Sequence, residues 1–144
     1  MILTGANGTF CSGLDLHDNN NDDQQQVGVV TDESSEDDSS QLRQGVNMIQ
    51  HMTKVTNQLH SLPVLSICAV DGYAVGGGAE LTTCTDLIVL GRNATIQFLH
   101  AKRGASFGWG GGRRLVQKVG RRKALRMLLL GECVYGEEEA RQVP

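Results

Sequence analysis

Proline, aromatic residues and paired cysteines are all scarce in this chain. Two prolines and 4% aromatics among 144 residues, set against 18 glycines, argue against a β-sandwich or a disulfide scaffold and for an α/β protein with many close backbone approaches. Cys11, Cys68, Cys84 and Cys133 stand far apart, with no CxxC and no histidine pair at zinc-ligand spacing, so no metal site is expected and the thiols read as reduced. No apolar run approaches the roughly 20 residues that cross a bilayer, and a formal net charge of -3 supplies no general attraction for nucleic acid or membranes. The opening MILTGANGTF lacks a basic start, an apolar signal core and an Arg- and Ser-rich transit stretch. The expected location is cytoplasmic, with a mitochondrial one open if the true N-terminus lies further upstream. The length suits one domain.

What is present is strongly patterned. Residues 1–3 read as the end of a buried strand, and residues 4–8 as a turn carrying two glycines and an asparagine. Residues 18–40 hold eight carboxylates and neither Lys nor Arg, a composition that reads as a disordered acidic insertion, with an acidic interaction segment as the alternative. From residue 41, Leu42, Val46, Ile49, Met52, Val55, Leu59 and Leu62 recur at steps of three or four and predict an amphipathic helix ended by Pro63. The β-branched run at residues 64–70 predicts a strand buried on both faces. A helix over residues 79–85, strands over 86–91 and 95–98, a glycine-rich loop over 100–112 and helices over 113–119 and 121–130 follow, with another helix beginning at Glu137. Strand, glycine turn, helix and strand in succession point to a crossover unit in a largely parallel sheet.

The stretch DGYAVGGGAELTT concentrates the functional question. Gly76, Gly77 and Gly78 weaken both a strand and a helix, so their use must lie in backbone geometry. The run matches neither GxGxxG nor GxxxxGK[ST], which argues against a phosphate loop. Close helix-to-sheet packing is one explanation, and a turn that aims backbone N–H groups at a developing negative charge is the other. A second turn of the same character, FCSGLD, opens at Gly13 and leaves the N–H of Leu14 available as a partner donor.

Together TGANGTFCSGLDL, PVLSICAVDGYAVGGGAELTTCTDLIVL and WGGGRRLVQKVGRRKAL resemble the crotonase (enoyl-CoA hydratase/isomerase) superfamily, in order and near its spacing apart from the acidic insertion. The resemblance implies an α/β fold, the crotonase-like ββα-repeat spiral, assembled as a homotrimer or hexamer and acting on an acyl-CoA thioester. Coenzyme A is then part of the substrate, and no separate cofactor is expected. The resemblance also implies two backbone donors to the thioester oxygen, which fall on Leu14 and Gly77, flanked by Ser12, Gly13, Gly76 and Gly78. Asp15, Leu16 and His17 match the stretch placed along the pantetheine and adenine, and Trp109 is expected as a pocket wall.

Hydratases of the superfamily use two glutamates to activate water and deliver a proton. The first matches Glu80, whereas the second position falls on His100. Decarboxylation needs no base, because loss of CO2 forms the enolate directly, and His100 is then the residue to orient the carboxylate or protonate the enolate. GGGAELTT, FLH and GWGGGRRL resemble decarboxylating members, so ethylmalonyl-CoA or methylmalonyl-CoA is the expected substrate, with enoyl-CoA hydration or isomerisation as the alternative. His100 closing a strand and Glu80 in a first helical turn also have purely structural readings.

Arg113, Arg114, Lys118, Arg121, Arg122, Lys123 and Arg126 form a basic cluster. It reads as solvated helix surface or subunit contacts, as a CoA-phosphate contact, or as an RNA site, the last disfavoured by the absence of interleaved aromatics. The chain matches the superfamily without its first strands and its C-terminal helical region, so the fold is expected to be truncated at both ends. An inactive fragment, or a non-enzymatic RNA- or partner-binding homologue, is the reading of another class.

Overall fold

The computed structural model describes residues 1–13 and 36–137. Leu14, Asp15, Leu16 and His17, the acidic insertion up to residue 35, and the expected last helix beyond Glu137 lie outside the described residues.

The described chain folds into two three-stranded sheets with helices packed on them. Strands β1 (Ile2–Thr4), β2 (Ile67–Val70) and β4 (Leu87–Leu90) form one sheet, parallel throughout, with Leu3, Cys68 and Ile88 in one register row. Strands β3 (Tyr73–Val75), β5 (Thr95–Gln97) and β6 (Cys133–Tyr135) form the other, in which β3 and β5 are parallel and β6 is antiparallel to β5. Helix α2 (Gly77–Thr82) lies between β3 and β4 in the chain, so the parallel pairs β2–β4 and β3–β5 are interleaved crossovers, as the succession of elements predicts. Cys68, Val70, Ala74, Ile96 and Phe98 from the strands meet Leu115, Ala124, Met127 and Leu128 of helix α3 (Gly111–Leu130) in the core. Gly120, at φ 78° and ψ 160°, interrupts α3 where two helices are expected.

The strand expected over residues 64–70 is shorter and less buried than predicted. It begins at Ile67, and Val64 and Leu65 are exposed. Only Cys68 and Val70 are buried, since neighbouring side chains point to opposite faces, and the other face carries Ile2, Leu87 and Val89 in the open. Ser66 and Asp86 pin the start of this pairing. The Asp86 carboxylate accepts from the Ser66 hydroxyl at 2.6 Å and its N–H at 2.7 Å, which holds the carboxyl below its usual range. That contribution is present above the ordinary carboxylate range and is lost as acid protonates the group.

Helix α1 (Glu36–His60) begins five residues before residue 41, within the tract read as an acidic insertion. Its inward face also differs from the apolar periodicity: Thr56 is fully buried, while Val46 and Val55 are exposed. Strand β6 is not predicted by the sequence pattern. It forms because Gly131, at φ 61°, ends α3 and turns the chain back along β5.

The N-terminal segment completes the frame. Phe10 and Cys11 both donate their N–H to Tyr73 O, and Val75 donates to Cys11 O at 2.9 Å, so Cys11 runs beside β3. This closeness leaves no room at Gly78, where a Cβ would lie 2.2 Å from the Cys11 carbonyl oxygen. Gly78→Ala is therefore expected to lower stability by about 1–3 kcal/mol through forced backbone movement, read as a lower denaturant midpoint; an unchanged midpoint contradicts this packing. The cysteines divide by depth as well. Burial pushes the Cys68 thiol up to about 12 and raises Cys84, whereas Cys11 and Cys133 are half-buried. Because the thiolate is the nucleophile, iodoacetamide at mildly alkaline pH should alkylate Cys11 and Cys133 of the native protein and spare Cys68 and Cys84, checked by peptide mass spectrometry.

Candidate active site

The two glycine turns singled out in the sequence meet. Gly13, at φ 88°, sits so close to the end of β3 that a Cβ there would be 2.8 Å from Val75 O and 3.6 Å from the Gly77 nitrogen. Gly76 adopts φ 56° and ψ -119°, a conformation open only to glycine, while its N–H donates to Gln97 O at 3.0 Å and its carbonyl accepts from Glu80 N–H at 3.0 Å. Gly77 is the first residue of α2, so its N–H has no acceptor within the helix. Ser12 is exposed and Gly13 half-buried at this junction.

Glu80 does not point into open space. It is 1% exposed, and its Oε2 accepts the N–H groups of Trp109 at 3.1 Å and Gly111 at 2.9 Å. Its Oε1 lies 3.1 Å from His100 Nε2. Both oxygens are thus engaged, and the carboxylate ties the glycine-rich loop and His100 to α2. His100 precedes a short 3-10 turn (Ala101–Arg103), and its ring packs beside Phe107 with centroids 4.7 Å apart. Its Nδ1 is buried and has no hydrogen-bond partner among the described residues.

The loop is held from its other side by residues that sequence reasoning did not select. Trp109 O accepts from Thr56 Oγ1 at 2.8 Å and from Arg114 Nη2 at 2.6 Å, and Gly108 O accepts from Thr53 Oγ1 at 2.7 Å. Arg114 also donates through Nε to Thr83 Oγ1 at 3.1 Å and through Nη1 to Asn57 Oδ1 at 3.2 Å. This fixes the Trp109 ring against the glycine turn: a Cβ on Gly77 would be 2.4 Å from its Cη2. The residue that the Trp109 ring covers is Gly77.

The basic cluster is not one surface. Arg114 is buried at 5% exposure, Lys118 donates to the carbonyls of Thr85 and Asp86, and Arg126 pairs with Glu132 at 2.6 Å. Arg113, Arg121 and Arg122 remain exposed. An apolar cavity of about 350 Å3 lies between the sheets and α3, lined by Ile88, Leu90, Ile96, Phe98 and Met127, and Gly13, Gly77 and Trp109 take no part in it. Among the described residues no group of His, Cys, Asp and Glu could hold a metal ion, and no helix is long and apolar enough to cross a membrane.

The chain is similar to known proteins both in sequence and in fold. The chain is 38% identical over 128 residues to ethylmalonyl-CoA decarboxylase of Gallus gallus and 38% identical to that of Danio rerio, matching 89% of its own length and 37% of theirs. It therefore spans little more than a third of the length of these relatives. Among solved structures, a putative enoyl-CoA hydratase from Thermobifida fusca in complex with acetoacetyl-CoA superposes with a TM-score of 0.75 at 26% identity, covering 97% of this chain and 52% of that one. The same organism's protein in complex with CoA gives a TM-score of 0.73 at 27% identity, over 97% of this chain and 51% of that one. The crotonase fold of these neighbours is the fold of this chain. The model of the enoyl-CoA hydratase/isomerase family matches residues 1–143, and the chain belongs to that family.

Proposed function

We propose that this chain carries the thioester-binding part of a carboxy-lyase that decarboxylates ethylmalonyl-CoA or methylmalonyl-CoA through an enolate. The observation that carries the reading is the Glu80–His100 arrangement. Hydration calls for two carboxylates beside the reacting carbon, and here one position is a histidine while the other carboxylate has both oxygens engaged.

Breaking the bond between the α-carbon and the carboxylate leaves its electron pair on the thioester as an enolate. The Gly77 N–H is the donor assigned to the developing oxyanion, with the Leu14 N–H as its partner, and each such donor contributes about 2.7–4 kcal/mol to lowering the barrier. Gly76 and Gly78 let the backbone approach, and Gly13 sits beside the Gly77 nitrogen. His100, held at Nε2 by Glu80, is the group assigned to deliver a proton to the α-carbon or to hold the departing carboxylate through Nδ1. The decarboxylase relatives and the acetoacetyl-CoA complex of a structural neighbour support an acyl-CoA thioester as substrate.

Incubation of the purified chain with ethylmalonyl-CoA, methylmalonyl-CoA and crotonyl-CoA is expected to release CO2 from the first two and to leave the third unhydrated. Hydration of crotonyl-CoA without CO2 release overturns the proposal in favour of a hydratase, and failure to bind any thioester favours a non-catalytic fragment. His100→Ala should lower the decarboxylation kcat by about 10²–10⁴-fold with little change in thioester Kd; equal losses in both would assign His100 a structural role.

A further inference from the structure

Trp109 is gripped at both ends of its own backbone by opposite charges. Glu80 Oε2 accepts its N–H, and Arg114 Nη2 donates to its carbonyl. Both side chains are buried, and all three Arg114 hydrogen bonds go to neutral oxygens, those of Trp109, Thr83 and Asn57. Keeping a carboxylate and a guanidinium out of water is costly unless each is fully hydrogen-bonded, and neutral donors such as Thr53 and Thr56 already serve to close the loop. The charged pair adds directional rigidity at one residue. What that rigidity positions is the indole, whose Cη2, Cζ3 and Cζ2 lie 2.4, 2.6 and 3.2 Å from the place of a Cβ on Gly77.

A thioester oxygen bound to the Gly77 N–H places its α-carbon two bonds away, next to the residue that the indole covers. We propose that Trp109 sets the size limit on the α-substituent of the thioester, with Arg114 and Glu80 as the positioning residues that hold its indole against Gly77. The inference rests on the function proposed above. A flat, clamped ring at this place admits a short branch and meets a longer one as a wall, because a rigid site cannot widen without breaking the clamp.

Trp109 is the sole tryptophan of the chain, so its emission reports the ring directly. In Arg114→Met, acrylamide quenching of that emission should rise, and Arg114→Lys should restore part of the protection because it keeps one donor for the Trp109 carbonyl. Thr56→Ala, which removes a single bond to the same carbonyl, gives the same readout if Arg114→Met does not fold. An indole equally shielded in a folded Arg114→Met or Thr56→Ala variant overturns the clamp. Calorimetric binding of methylmalonyl-CoA, ethylmalonyl-CoA and butylmalonyl-CoA tests the size limit. Trp109→Ala should shift the affinity ratio toward butylmalonyl-CoA by about tenfold or more, the scale of a misfit methylene in an apolar pocket. Binding with an unchanged ratio overturns this inference alone, whereas a chain that binds none of the three overturns the thioester reading and this inference with it.

Discussion

The carboxylate of Glu80, buried between helix α2 and the glycine-rich loop, is the interaction on which the site depends. A buried anion is tolerated only where donors replace water, and here they are two backbone N–H groups and a histidine. Because those N–H groups belong to Trp109 and Gly111, the anion draws the entrance of α3 onto α2. Gly111 is glycine for that reason: a Cβ would lie 2.6 Å from the Glu80 Cγ. Gly110, at φ 77°, supplies the left-handed turn that lets the loop present both N–H groups to one oxygen. The run WGGG is thus the backbone complement of one carboxylate, and it carries the tryptophan to the glycine turn as a consequence.

The same logic explains which parts of the site were legible in the sequence. Gly13, Gly76, Gly77 and Gly78 could be read because glycine in an unfavourable place signals backbone geometry, and the fold does bring the two turns together. The interleaved parallel strands were legible from breakers and β-branched runs. Thr53, Thr56 and Arg114 were not, because periodicity assigns polar residues to the solvent face, and their burial depends on partners far along the chain. Thr56 and Trp109 are 53 residues apart, and no local signal connects them. Strand β6 escaped notice because three residues, Cys133–Tyr135, are too few for a period, and its position is set by the edge of β5.

Charge was the least transparent feature. Seven basic residues between 113 and 126 look like one patch, yet three of them have different tasks once folded. Arg114 turns inward to the Trp109 carbonyl, Lys118 meets the carbonyls after α2, and Arg126 pairs with a carboxylate at the surface. Gly120 contributes to this dispersal. It interrupts α3 with non-helical backbone, so the basic residues fall on two helical segments rather than one. Electrostatic attraction to a polyanion scales with charges presented together, and this arrangement divides them.

The division of labour within the site bears on the reaction itself. Under the proposed function, backbone donors at the glycine turns stabilise charge on a thioester oxygen whichever bond is broken to produce it, so they define an intermediate shared by several reactions. The outcome is decided by which side chain can exchange a proton at the α-carbon. Under the proposed function, hydration would ask a carboxylate that already accepts two N–H groups and faces a histidine to hold a water as well. Decarboxylation makes no such demand, because the carbon that loses CO2 already holds the electron pair. On the proposed reading, the structural commitment of Glu80 and the chemistry open to the site are two consequences of the same contacts.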